Sequence, residues 1–360
     1  MIANSDELTP ETQWHQTVWA RTPEESLADH STRARLCVAT LLPFHNAKPD
    51  WEGFANSIHW MIAAAKAYDV EIAFVLNADT GYIFQLNESL YAEVIRRFRT
   101  AFPEPTIVCG ATAVGQEGST FQPHWYRPHL EIAQDFQNVE VMIMTSKLLD
   151  GLRPEARRDA YFDILEMVRV PAIVHALEPA FIPWATPFGP WLLRELAGHE
   201  KIVGGKISTL DEPHFLYWAA MCRDLKLKFS PHSGDDFGIA SAIKMGLPLL
   251  IGAGVSACPL ICAAKQLWTS TPLDTRVYKL FEAIQSLEDI VFRLDANGSA
   301  AAYKQSTAHV LKLLGLIASS EVHPDCGDRR PDDEAARMRE ALIRPLQIAK
   351  RLGIKDFALT

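Results

Sequence analysis

The stretch Lys201-Ile202-Val203-Gly204-Gly205-Lys206-Ile207-Ser208 reads as a short buried strand that carries a lysine towards its end. Ile202 and Val203 supply the β-branched apolar run, and two glycines remove side-chain bulk just before Lys206. Its surroundings alternate strand and helix patterns in both directions. Upstream, residues 36–42 (LCVATLL) form a continuous apolar run stopped by Pro43, and further runs occupy residues 70–76, 106–109, 139–144 and 171–174. Downstream, residues 225–229 and 248–251 complete the set. Continuous rather than alternating hydrophobicity marks parallel strands covered on both faces. Each run is followed by apolar residues at three-to-four spacing, as in Trp51, Phe54, Ile58, Ile62 and Ala65, with Asp50 placed to cap that helix. Eight such units between residues 36 and 270 predict an α/β protein, a closed (β/α)8 TIM barrel rather than an open doubly wound sheet.

Beyond about residue 272 no strand signal remains, and helices are predicted over 273–290, 300–318 and 333–351. The charged, proline-bearing segment 321–334 reads as a linker between the last two. The expected division is an N-terminal extension (1–33), the barrel (34–271) and a C-terminal helical appendage (272–360).

The chain has 360 residues, 48% of them hydrophobic, enough to bury a large core. Thirty-five basic against 44 acidic residues give a net charge of -9, which argues against nucleic acid or an anionic membrane as partner. No apolar run approaches the ~20 residues of a membrane span. The polar, acidic start MIANSDELTPETQWHQ is not read as a signal or transit peptide, so a cytoplasmic protein is expected. Six scattered cysteines suit reduced thiols, and Cys258 and Cys262 are spaced to share one helix face in the core.

At the C-terminal end of a barrel strand, Lys206 stands where such folds keep their chemistry. Desolvation would lower its pKa, and the neutral amine can then attack a carbonyl carbon. Asp79-Thr80-Gly81 ends the second strand. Its hydroxyl and glycine-freed amides can hold a substrate carboxylate, with Asp79 as a base, or the three can form an ordinary turn. His175 ends the fifth strand and can serve as an acid/base group or as a hydrogen-bonded structural residue. Gly252-Ala253-Gly254-Val255-Ser256-Ala257 approximates a dinucleotide fingerprint. It arrives after seven strand–helix units, with no following strand to carry the acidic ribose ligand, so Gly252, Gly254 and Ser256 are assigned to a turn lining the barrel mouth. Ser233-Gly234-Asp235-Asp236 is read as a turn with an N-capping Asp in preference to a metal site, and no histidines show zinc spacing. No metal and no organic cofactor are expected.

The order of these motifs resembles the dihydrodipicolinate synthase/N-acetylneuraminate lyase family of class I aldolases, over most of residues 36–350. The landmarks are Leu42-Pro43-Phe44, Asp79-Thr80-Gly81 in place of a Thr-Thr-Gly loop, Val203-Gly204-Gly205-Lys206, Gly234-Asp235-Asp236 and the glycine-rich turn from Gly252 to Ser256. The resemblance implies a TIM barrel, Lys206 as the imine-forming nucleophile, Thr80 and Gly81 near the carboxylate of a 2-oxo acid, and a homo-oligomer, dimer or tetramer. The chain also departs from the family. His175 is aligned with the catalytic tyrosine, Asp79 replaces the first threonine, and residues 180–185 offer no arginine for a second carboxylate. The expected function is a Schiff-base-forming lyase, aldolase or dehydratase, acting on a small 2-oxo acid, sugar acids included. The alternatives are dihydrodipicolinate synthase proper, a lyase whose lysine stabilises an enolate without an imine, and a non-catalytic metabolite-binding barrel.

Overall fold

The structure is a computed structural model that describes residues 35–114, 120–224, 229–252, 254–327, 329–354 and 357. The extension expected over residues 1–33 lies outside them. Eight strands form the barrel: β1 (Leu36–Ala39), β2 (Ile72–Leu76), β3 (Ile107–Ala111), β4 (Val139–Ile143), β5 (Ala172–Leu177), β6 (Ile202–Ser208), β7 (Ser230–Ser233) and β8 (Leu249–Ile251). Each pairs in parallel with its neighbour in sequence, and β8 returns to β1 with Leu36 opposite Leu249, so the cylinder is closed. Phe44–His45 and Lys48–Pro49 add a small antiparallel hairpin after β1. At the N-terminal end of the cylinder Arg35 donates two hydrogen bonds of 2.7 Å to the carboxylate of Glu140, tying the base of β1 to β4.

The helices α1 (Trp51–Ala67), α2 (Glu88–Ala101), α3 (Arg127–Gln134), α4 (Pro154–Glu166), α5 (Pro190–Ala197), α6 (Glu212–Asp224), α7 (Ile239–Lys244) and α8 (Gly254–Ser270) follow the strands in turn. α1 shows why. The Asp50 side chain accepts from Gly53 N at 2.9 Å, and Phe54, Ile58, Met61 and Ala65 bury one face at helical spacing. Each large apolar side chain so buried contributes about 1.5–3 kcal/mol. Cys258 and Cys262 lie 3.8 Å apart on one face of α8, both free and buried.

The seventh strand differs from expectation. Residues 225–228 of the apolar run assigned to it lie outside the described residues, and the strand is Ser230-Pro231-His232-Ser233. Polar residues can form it because Gly204 and Lys206 of β6 fix its register opposite Ser230 and His232.

Three further helices extend past the barrel: α9 (Thr275–Val291), α10 (Tyr303–Leu313) and α11 (Glu334–Leu352). The connection from α9 to α10 crosses the C-terminal mouth of the cylinder. Ala300 N donates to Ala180 O beyond β5 at 2.8 Å, and Tyr303 reaches Thr80 beyond β2. Among the described residues no helix is long and apolar enough to cross a membrane.

Candidate active site

Lys206 is the fifth residue of β6, in register with His175 of β5 and His232 of β7. Paired residues of a parallel sheet face the same side, so the three belong to one level of the barrel interior. The glycines before Lys206 do more than remove bulk. A Cβ on Gly204 would lie 2.9 Å from the His232 ring, and one on Gly205 would lie 2.4 Å from Phe229. Gly234 matters most, because a Cβ there would come within 2.6 Å of Lys206 Cε. The lysine stem thus runs over bare backbone.

Lys206 is 6% exposed, and among the described residues none accepts a hydrogen bond from its nitrogen. Burial lowers its pKa, Asp236 and Asp79 pull it back up, and Lys304 lowers it again, with a net fall below the usual lysine value. An amine held this way sheds its proton more readily than a surface lysine, which is what nucleophilic attack requires.

His175 is fully buried. Its Nε2 lies 2.8 Å from Ser208 Oγ and its Nδ1 3.1 Å from Met144 Sδ. Burial first, and the Lys206 charge second, hold its pKa well below the ordinary histidine value, so the ring is neutral at pH 7. It can relay a proton through Ser208, and it is not a cation there.

Asp79 and Thr80 follow β2 and are both buried. Tyr303, the first residue of α10, donates to Asp79 Oδ2 at 3.0 Å, and its hydroxyl oxygen lies 2.9 Å from Thr80 Oγ1. Lys304 donates to Asp79 Oδ1 at 3.0 Å. The Tyr303 ring stacks on Phe292, centroids 4.6 Å apart and planes 18° apart. Burial and the Asp79 charge hold the phenol's pKa well above its usual value, so it keeps its hydrogen. A phenol has one hydrogen, and here it goes to the carboxylate; the Thr80 hydroxyl therefore donates to Tyr303.

The predicted residues divide accordingly. Lys206 and His175 share a level of the interior, and Asp79, Thr80 and Gly252 meet at Tyr303, where a Cβ on Gly252 would stand 3.5 Å from both Thr80 Oγ1 and the ring. Gly81 and Gly254 serve close packing: a Cβ would press on Asn77 N at 3.1 Å in the first case and on the Val38 methyl groups from 2.9 Å in the second. Ser256 Oγ donates to Glu288 Oε1 at 3.1 Å. Glu288 is fully buried, and desolvation, with Asp236 adding to it, holds its carboxyl well above the usual range.

Tyr303, Lys304, Asp236 and Glu288 are the functional candidates that the sequence reading passed over. Two left a trace. Glu288 falls among Ile284, Leu287 and Val291 on the apolar face of α9, and Lys304 on that of α10 with Thr307 and Ala308, positions where charge is out of place. Of the adjacent aspartates, Asp235 makes the expected turn, accepting from Phe237 N at 2.9 Å, and burial pushes its carboxyl up to about 7. Asp236 instead acts on Lys206. Among the described residues no three His, Cys, Asp or Glu side chains are grouped to hold a metal ion. A groove lined by His59, Ile62, Phe102 and Pro103 lies at the other end of the cylinder, where barrels keep stability rather than chemistry.

No protein-family model matches the chain, and no curated protein matches it either. Solved structures do. A monomeric dihydrodipicolinate synthase variant superposes with a TM-score of 0.71 at 16% identity, covering 90% of this chain and 98% of that one. The dihydrodipicolinate synthase of Bacteroides thetaiotaomicron gives 0.71 at 17% identity, covering 86% and 98%. A prophage protein of the dihydrodipicolinic acid synthase family from E. coli K12, in complex with pyruvate, gives 0.71 at 13%, covering 89% and 99%. At these identities the likeness speaks for the fold: the chain is a divergent structural relative of the dihydrodipicolinate synthase/N-acetylneuraminate lyase superfamily, a TIM barrel with extra C-terminal helices.

Proposed function

We propose that the protein is a Schiff-base-forming lyase of the class I aldolase type, with Lys206 as its nucleophile. One observation carries this reading: a lysine that is 6% exposed, inside the barrel, with no hydrogen-bond acceptor at its nitrogen among the described residues. A buried polar group left without a partner destabilises the fold, and active sites are where such groups persist.

In the proposed reaction the Lys206 lone pair forms a bond to the carbonyl carbon, and the C=O π pair moves to oxygen. The oxygen takes up protons and departs as water, leaving an iminium that keeps one hydrogen on nitrogen. That cation draws electrons from the adjacent carbon, favouring cleavage of a neighbouring carbon–carbon bond or loss of a neighbouring hydroxyl. His175 acting through Ser208, and Asp79 acting through Tyr303, supply the hydrogen-bonded routes by which protons move. Gly252 keeps the Thr80–Tyr303 side of the mouth open. The substrate is a small carbonyl compound. A 2-oxo acid is the class that the motif order suggests, and the charges around Lys206 decide between it and an uncharged compound.

The test is borohydride reduction in the presence of a panel of 2-oxo acids, ketones and aldehydes, read by intact mass and peptide mapping. An adduct on Lys206 that disappears in Lys206→Ala is expected. Turnover with no trapped adduct would move the reading to an enolate-stabilising lyase. Stabilisation by ligand with neither would leave a binding protein.

A further inference from the structure

We infer that the site takes an uncharged, hydroxyl-bearing carbonyl compound, a small ketose or hydroxyketone, rather than a 2-oxo acid, because its anion-facing donors are spent and its interior already carries excess negative charge. This rests on the imine-forming role of Lys206 and narrows its substrate.

Donors come first. The Thr80 hydroxyl is the group in the loop after β2 that could hold a carboxylate, yet its hydrogen is committed to Tyr303, whose own hydrogen goes to Asp79. Thr80 Oγ1 therefore presents lone pairs to the mouth. It can accept from a substrate hydroxyl and has nothing to offer a carboxylate. Lys304, the cation nearest this loop, is bound to Asp79 at 3.0 Å. A substrate carboxylate placed at Thr80 would also meet the Asp79 carboxylate one residue away.

The charge balance points the same way. Among the described residues that act electrostatically on Lys206 or on its neighbours Asp236 and Tyr303, Asp79 and Lys304 cancel, Glu288 is held neutral, and Asp236 leaves one negative charge beside a neutral amine. Imine formation from an uncharged carbonyl compound adds one positive charge and brings the balance to zero. A 2-oxo acid adds the same cation together with its own anion, and the excess stays. In a poorly solvated interior that difference disfavours the acid. A carboxylate has about four lone-pair directions, so Asp236 can still accept from a substrate hydroxyl whatever else it holds.

The experiment compares two arms on the full chain: dihydroxyacetone and pyruvate at equal concentration, each with borohydride, scored as the adduct on Lys206 after subtraction of Lys206→Ala. Wild type should trap dihydroxyacetone at least about tenfold faster than pyruvate, a difference of about 1.4 kcal/mol. Asp79→Asn should narrow that ratio about tenfold by removing the opposing charge and releasing Lys304. Tyr303→Phe should narrow it as well by freeing the Thr80 hydrogen. Pyruvate trapped as fast as dihydroxyacetone in wild type overturns the substrate class while leaving the lysine's role standing. A ratio unmoved in both folded variants overturns the explanation from donors and charge. Absence of a Lys206 adduct from both arms overturns the imine and the substrate class together.

Discussion

Replacing Lys206 by methionine should abolish imine trapping and make the protein more stable. The thioether has nearly the length of the lysine stem and can lie over the same bare backbone at Gly234. What disappears is a buried amine with no acceptor, a group whose burial costs about 1–3 kcal/mol. At pH 7 Lys206→Met should therefore gain about 1–3 kcal/mol. With a urea dependence of about 3 kcal/mol per molar, the midpoint would rise by roughly 0.3–1 M, read from the fluorescence of the nine tryptophans. The gain should also depend on pH with a definite sign. The folded lysine's pKa is lowered, chiefly by burial. Between that lowered value and about 10.4, where lysine ionises in the unfolded chain, the unfolded state holds a proton that the folded state does not. Wild-type stability therefore rises with pH across that window, and the advantage of the variant shrinks as the pH approaches about 10.4. A Lys206→Met protein less stable than wild type by about 1 kcal/mol or more at pH 7, with the loss vanishing on alkaline titration, would refute the reasoning. It would mean that the amine is a structural cation held by Asp236 or Asp79.

Glu288→Gln keeps the shape and the acceptor for Ser256 while removing a carboxyl that burial holds protonated. Its stability should exceed that of wild type by an amount that grows as pH rises above about 4.3, where the unfolded glutamate ionises and the folded one does not; equal slopes in urea titrations at acid and neutral pH would contradict this. Gly234→Ala would place a methyl 2.5 Å from the Ile207 carbonyl oxygen and 2.6 Å from Lys206 Cε. It should lose about 1–3 kcal/mol and nearly all trapping, and wild-type trapping would show that the amine does not lie against Gly234.

The barrel could be read from the chain because seven of its strands are apolar for reasons of burial alone. Runs such as Ile72–Leu76 and Ile107–Ala111 have helices on one side and the packed interior on the other. Ser230-Pro231-His232-Ser233 broke the pattern, since its inward positions serve the polar level around Lys206 and its register is imposed by β6. Lys206, His175, Asp79 and Thr80 were visible because strand ends are where a barrel's chemistry gathers. Tyr303 and Lys304 were not, because helical spacing assigns a tyrosine beside Ala302 and Ala308 to the core, and nothing local announces a partner more than 220 positions earlier. Their pairing with Asp79 belongs to tertiary structure.

The crossing from α9 to α10 has a consequence for how the protein is made. During translation the strand bearing the reactive amine leaves the ribosome about a hundred residues ahead of the tyrosine and lysine that complete its surroundings. A nascent chain stalled after its eighth strand would hold a nucleophile without the groups that govern what reaches it, so competence arrives late in synthesis, with the last third of the polypeptide.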